Sequence, residues 1–139
     1  MFLGEFTHTI DLKGRVFLPF KHRRDLGDTV VITKMTDPCL VVYPVSEWEK
    51  VAEKVNALPT IQGANVKREI FSNASEEETD KQGRILIPPS LRQKASLDKN
   101  VYIIGVGNHI EIWAKELWDK RNDENDMEKL SELMINLGF

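Results

Sequence analysis

The sequence predicts an α+β fold in which two tandem half-domains form one compact, pseudo-twofold unit. Three observations carry that expectation. The first is an internal repeat. Asp11-Leu-Lys-Gly-Arg15-Val-Phe-Leu-Pro19-Phe-Lys-His-Arg23 aligns with Asp80-Lys-Gln-Gly-Arg84-Ile-Leu-Ile-Pro88-Pro-Ser-Leu-Arg92 at an offset of 69 residues, with Asp, Gly, Arg, Pro and Arg in register. The second is a matching pair further along. Tyr43-Pro-Val-Ser-Glu-Trp48-Glu-Lys50 aligns with Trp113-Ala-Lys-Glu-Leu-Trp118-Asp-Lys120 at an offset of 70. Two matches in the same order, separated by similar apolar runs, mark a duplicated module. The third is size. A module of about 45 residues with four short strands buries too little apolar surface to be stable alone, so each copy is expected to complete the other's sheet.

Each copy reads in the same order. A first strand, Phe6 to Ile10 and in the second copy Ser75 to Thr79, runs into a D-x-x-G-R turn. There the Asp carboxylate can accept backbone N–H groups, and Gly14 or Gly83 supplies the positive φ that a side chain would resist. A second strand follows, Arg15 to Leu18 and Arg84 to Ile87. It ends at Pro19 and Pro88, which have no N–H to give a ladder. Short basic helices or turns come next, Lys21 to Leu26 and Ser90 to Ala95. Two apolar runs then form a hairpin in each copy. They are Val30 to Thr33 with Leu40 to Tyr43 around Asp37-Pro38, and Val101 to Ile104 with His109 to Trp113 around Gly107-Asn108.

Each copy closes on a helix. Ser46 and Glu49 read as a capping box for the first, and Trp48, Val51, Val55 and Leu58 share one helical face. The second copy's helix starts near Lys115 and either continues or breaks before a final helix bearing Met127, Leu130, Leu133, Met134 and Leu137. Pro59 to Gly63 reads as linker, followed by one or two helical turns at Val66, Ile70 and Phe71. The expected division is residues 1–58 as first module, 59–74 as linker with a short helix, 75–120 as second module and 121–139 as a C-terminal helical tail.

Charge sharpens the functional expectation. Hydrophobic residues at 41% and charged residues at 29% exclude a wholly disordered chain. Lys and Arg number 19 against 22 Asp and Glu, a net charge of −3 that by itself argues against nucleic acid. The distribution argues the other way. Residues 11–24 carry Lys13, Arg15, Lys21, Arg23 and Arg24 against Asp11 alone, and residues 80–94 carry Lys81, Arg84, Arg92 and Lys94 against Asp80 alone. Two basic islands at equivalent places, each centred on the repeated signature, have the form of a phosphate-binding footprint. Arg15 and Arg84 stand out, because each opens an apolar strand at the rim of a turn. The planar guanidinium suits phosphates and guanine edges. It also suits an ion pair with the Asp four residues earlier, and both roles hold if the Asp orients the Arg.

Catalytic constellations are weak. His8, His22 and His109 show no i, i+4 metal spacing, and none recurs in the other copy. His8 reads as a solvated strand residue. Cys39 is a single cysteine in a hairpin turn, so neither an internal disulfide nor a cysteine zinc site is expected. Gly105-Val-Gly107 has Ile110 where a dinucleotide loop needs its third glycine. There is no nucleophile elbow or Walker loop. The three tryptophans occupy apolar positions and read as packing residues. No catalytic residue, metal site or cofactor is expected. No apolar run approaches the roughly 18 residues of a membrane span, and the N-terminus lacks the basic start and apolar core of a signal peptide. A cytoplasmic protein is the expectation.

Phe2-x-Gly4-Glu5-Phe6-x-His8-x-Ile10-Asp11-x-Lys13-Gly14-Arg15 and Asp80-Lys-Gln-Gly-Arg84-Ile-Leu-Ile-Pro88-Pro89, followed by Ile103-Ile104-Gly105-Val-Gly-Asn108 and Glu111-Ile-Trp113, resemble the MraZ family over roughly residues 1–120. That resemblance implies a bacterial transcriptional regulator, typically encoded at the head of the division and cell-wall gene cluster. It implies a swapped-hairpin, AbrB-like β-barrel in tandem duplicate and a ring-shaped homo-oligomer. Arg15 and Arg84 would be the DNA-contacting arginines, with Asp11, Gly14, Asp80 and Gly83 forming their turns. Lys13, Lys21, Arg23, Lys81 and Arg92 would support phosphate contacts. The first strand of the second copy, Glu76-Glu77-Glu78-Thr79, is more acidic than the family pattern, which ranks Arg15 above Arg84. A ring would point every copy of one island the same way. The implied partner is double-stranded promoter DNA with repeated boxes, and the implied action is repression of its own operon at the nucleoid. An antitoxin-type interaction module is the competing reading, since AbrB-like folds also occur there.

Overall fold

The computed structural model describes residues 1–139. The elements follow the expected order, with β1 Glu5–Thr9, β2 Arg15–Phe17, α1 Phe20–Leu26, β3 Thr29–Lys34, β4 Leu40–Pro44 and α2 Val45–Asn56 in the first half. After α3 (Ala64–Ser72) come β5 Ser75–Glu78, β6 Arg84–Leu86, α4 Pro89–Lys94, β7 Asn100–Gly105, β8 Ile110–Ala114, α5 Lys115–Glu124 and α6 Met127–Asn136. The fold is α+β, with eight antiparallel strands and six helices.

The strands sort into a six-stranded sheet, ordered β1-β7-β8-β4-β3-β5, and a two-stranded ribbon, β2-β6. Exchanging the two halves turns the long order into its own reverse. β4 and β8 meet at the centre, each hairpin lies outside its own centre strand, and each edge is supplied by the other half. Thus β1 pairs with β7, placing Phe6 opposite Ile103, while β5 pairs with β3, placing Glu77 opposite Val30. This is a reciprocal strand exchange with pseudo-twofold character, and neither half holds a complete sheet by itself.

Periodicity decides which face is inside. β4 is buried at every position and β3 at four of six, as expected of central strands covered on both faces. β1 alternates exposed and half-buried residues, turning Phe6 and His8 inward. One core cluster collects residues from both halves, among them Val16, Leu18, Ile32 and Leu40 with Ile85, Ile87, Ile103 and Ile112. At about 25 cal/mol per Å² of apolar surface, that shared burial is what makes two sub-critical modules into one stable body.

Two local expectations need correction. The capping box at Ser46 and Glu49 does not form. Helix α2 starts directly off β4 at Val45 with Pro44 at the N-cap and no side-chain cap bond, so Ser46 already lies within the first turn. A proline that ends the strand and cannot donate makes the entry without help. The linker helix is longer than expected, nine residues at Ala64–Ser72. Its Phe71 packs edge-on against Trp48 with ring centres 6.1 Å apart, so α3 covers the half-buried flank of α2. The tail breaks between α5 and α6, where Asp126 caps the last helix by accepting the Lys129 N–H at 3.1 Å. No helix is long and apolar enough to cross a membrane.

Candidate nucleic-acid interface

The two signature turns are built alike. In the first, Asp11 Oδ1 accepts the backbone N–H groups of Lys13 (3.0 Å) and Arg15 (2.9 Å), while Oδ2 accepts Arg15 Nε at 2.8 Å. In the second, Asp80 Oδ1 accepts from Gln82 and Arg84, each at 2.9 Å, and Oδ2 accepts Arg84 Nε at 2.8 Å. The carboxylate thus closes the turn and aims the arginine at once. Gly14 and Gly83 sit at φ of 88° and 83°, where an L side chain is strained. The hydrogen bond from the Arg15 backbone, with the Arg15 side chain and the Lys13 N–H in support, holds Asp11 below its usual pKa. The Arg84 backbone does the same for Asp80.

The sequence alone did not reveal that the two signature strands pair with each other. β2 and β6 run antiparallel, with Arg15 opposite Leu86, Val16 opposite Ile85 and Phe17 opposite Arg84. Val16 and Ile85 are fully buried. The alternation then leaves Arg15, Phe17, Arg84 and Leu86 on the outer face. Arg15 and Arg84, 69 residues apart in the chain, therefore share one small surface. The Arg84 guanidinium lies 5.7 Å from the centre of the Phe17 ring, a cation–π contact, and Arg84 Nη1 is 4.0 Å from Asp11 Oδ2 across the ribbon. Phe17 and Leu86 are the surface residues that sequence reasoning missed. Their signal was present in the alternation of Arg-Val-Phe and Arg-Ile-Leu, which puts the first and third residues of each strand on one face.

The remaining candidates divide into two sets. Lys13 and Lys81 are exposed within the turns that flank the ribbon, and Lys21 is exposed on α1. Arg23 and Arg92 are half-buried instead, and each is tied to a backbone carbonyl, Arg23 Nε to Leu18 O at 3.0 Å and Arg92 Nε to Ile87 O at 3.1 Å. Outside the ribbon, His8 is half-buried where a solvated residue was expected. Burial, with the nearby charge of Arg23, lowers its pKa. Cys39 is buried, and burial pushes its thiol up to about 12, so thiolate is scarce at neutral pH. Trp113 is buried and packs against Trp118 with ring centres 5.2 Å apart, in keeping with the packing role expected of both.

Chemically, the ribbon offers two oriented guanidinium forks, lysines at either turn and an apolar patch between them. A two-stranded antiparallel ribbon is narrow enough to enter a DNA major groove. Comparison with known proteins gives this arrangement a family. The profile of the family described as "MraZ protein, putative antitoxin-like" matches the chain twice, over residues 1–67 and 70–136. A Carboxydothermus hydrogenoformans protein named transcriptional regulator MraZ is 46% identical over 140 residues, covering 98% of both chains. Proteins of the same name from Desulforamulus reducens and Heliobacterium modesticaldum are each 46% identical, covering 99% and 98% of both chains. With two profile matches that meet the duplicated halves and relatives aligned end to end, the chain belongs to the MraZ family.

Proposed function

We propose that this chain is a sequence-specific DNA-binding transcriptional regulator whose β2–β6 ribbon faces the duplex. The observation that carries the reading is the convergence of Arg15 and Arg84 on one outward face, each aimed by its own aspartate. Arg15 and Arg84 read guanine edges or grip phosphates, and Lys13, Lys81 and Lys21 neutralise the backbone on either side. Arg23 and Arg92 belong to the same basic surface. The relatives' printed name, transcriptional regulator, supports the class of function. The reciprocal exchange of β1 and β5 supports a swapped-hairpin, AbrB-like barrel, with residues 1–58 and 75–120 as its two modules.

A subunit of net charge −3 needs its basic face concentrated to hold DNA. A ring-shaped homo-oligomer on repeated promoter boxes supplies that concentration, because each added contact is intramolecular. Repression of its own division and cell-wall operon, from the cytoplasm and nucleoid, completes the reading. The test is a gel-shift titration on a duplex from just upstream of its own gene, with wild type, Arg15→Ala and Arg84→Ala. Binding is expected to fall with salt and to weaken in both variants while the melting temperature holds. Wild-type affinity in both would sink the site assignment. The family description also contains the word antitoxin, which favours a second reading as a protein-interaction module. Stable co-purification with a small toxic partner, in place of promoter binding, would decide for it.

A further inference from the structure

Arg23 and Arg92 repeat at the same place in each half, yet neither serves its own turn. Each reaches into the other half. The Arg23 guanidinium lies over Gly83, so closely that a methyl group on that glycine would collide with it. The Arg92 guanidinium lies over Gly14 in the same way, and a Cβ built there would sit 2.7 Å from the guanidinium carbon. Both glycines are buried although they occupy turns. The cover is the opposite arginine.

Hydrogen bonds continue the crossing. Arg23 Nε donates to Leu18 O at 3.0 Å, and Leu18 N donates to Gly83 O at 2.9 Å. Gly83 N donates to Asp80 O at 3.0 Å, and Asp80 accepts both Arg84 N and Arg84 Nε. The mirror path runs from Arg92 through Ile87 O, Ile87 N to Gly14 O at 2.9 Å, Gly14 N to Asp11 O at 3.0 Å, and on to Arg15. Each path starts on a helix of one half and ends on the signature arginine of the other.

We propose that Arg23 and Arg92 are positioning residues that act across the halves, Arg23 fixing the direction of Arg84 and Arg92 fixing that of Arg15. The inference rests on the reading of the ribbon as the DNA-facing surface. Physically, Asp80 is exposed, and its hold on Arg84 competes with water. Covering Gly83 excludes water from the turn's inner side and removes the room that a glycine would otherwise use to leave its positive φ. The flat fork is required, because only a planar group lies against Cα and still donates to the strand-end carbonyl. Phe20 braces the Arg23 side, with its ring centre 5.6 Å from the guanidinium carbon. The second half has Pro89 at the position equivalent to Phe20, so Arg92 lacks that brace.

The test is a double-mutant cycle on the promoter duplex used above, followed over a salt series. Arg23→Ala is expected to weaken binding about threefold in the wild-type and Arg15→Ala backgrounds, no more than Arg84→Ala itself does, and to have almost no effect in the Arg84→Ala background. Arg92→Ala is expected to show the converse dependence on Arg15. Arg23→Lys, which keeps the charge and the stem, is expected to be about as weak as Arg23→Ala and also serves where Arg23→Ala fails to fold. A phosphate-contacting Arg23 would instead lower the salt slope by about one and keep its full effect beside Arg84→Ala. That pattern, or full rescue by Lys, overturns the proposal. A second readout needs no DNA. The Arg84 Nε–H is expected to exchange slowly in ¹⁵N NMR of wild type and quickly in Arg23→Lys, while Arg15 Nε–H is unchanged. Slow exchange of Arg84 in both proteins overturns the positioning role even if no duplex binds, whereas loss of DNA binding with this NMR pattern intact removes only the functional reading.

Discussion

The two signature turns carry the same hydrogen bonds at nearly the same lengths, yet the two halves around them differ. In the first half, the arginine lies opposite Leu86 and keeps 32% of its side chain exposed. In the second, it lies opposite Phe17, packs on that ring, approaches Asp11 and is 19% exposed. The edge strand that leads into the first turn reads Glu-Phe-Thr-His-Thr, and the one leading into the second reads Ser-Glu-Glu-Glu. Buried His22, whose Nε2 lies 3.0 Å from Leu3 O between Phe2 and Phe6, is replaced in the repeat by Leu91. What this teaches is that the geometry of the turn is set by five repeated residues, while the electrostatic setting of each arginine is free to vary.

Substitution of the glycines is the hardest test of the turns' equivalence. Gly14→Ala and Gly83→Ala each force a side chain into positive φ and into the opposite arginine, and each is expected to destabilise by about 2–3 kcal/mol. Urea unfolding of the two variants should give matching losses. A loss confined to one would mean that the halves do not brace each other alike. Next in size is the contrast in DNA affinity. Arg15→Ala is expected to weaken promoter binding about tenfold to a hundredfold, and Arg84→Ala by several-fold less, because Arg84 is the more covered and has carboxylates on both sides. A reversed ranking would place the second half nearer the duplex.

Charge on the second edge strand offers a smaller lever. Glu76 and Glu78 are exposed on β5, and their joint replacement by Gln is expected to tighten DNA binding about twofold to threefold at low salt. The gain should vanish in high salt, where the Debye length falls to about 3 Å. An unchanged affinity at low salt would remove these residues from the account of the asymmetry. Smallest is the acid response. Folding depresses the pKa of both aspartates, so the stability they lend is present above the unfolded value near 3.8 and is lost as pH falls through the lower folded value. Carboxyl NMR should show Asp11 and Asp80 each titrating below pH 3.8, and Asp11→Asn should flatten the acid arm of stability.

Much of this was legible in the sequence because it is local. Asp, Gly and Arg at fixed spacing dictate the turn, period-two alternation marks the strands, and Pro19 and Pro88 end them. The hairpins and the face of α2 bearing Trp48 and Val55 follow from the same local rules. The partner of each strand does not. That β1 sits on β7 and that β2 sits on β6 depends on contacts made about 70 to 100 residues away, and the repeat is equally compatible with pairing within each copy. For the same reason Arg23 and Arg92 read as two more surface cations, since nothing in a repeat says whose glycine an arginine covers. The capping box failed for a local reason: the helix takes Pro44 as its N-cap, two residues before Ser46.

The strand order also sets a timetable for synthesis. As the chain leaves the ribosome from its N-terminus, β3 and β4 can close their hairpin early, but β1 has no partner until Asn100–Gly105 has emerged. The outer edge of β3 stays bare until Ser75–Glu78 arrives. At about 5–20 residues per second, several seconds separate the first strand from its place in the sheet. During that interval a nascent chain carries two open edges that match those of its neighbours on the same message. Pairing between adjacent nascent chains is then the competing reaction. Once Glu76-Glu77-Glu78 has docked on β3, it closes that side of the sheet with a charged edge that a further chain joins poorly.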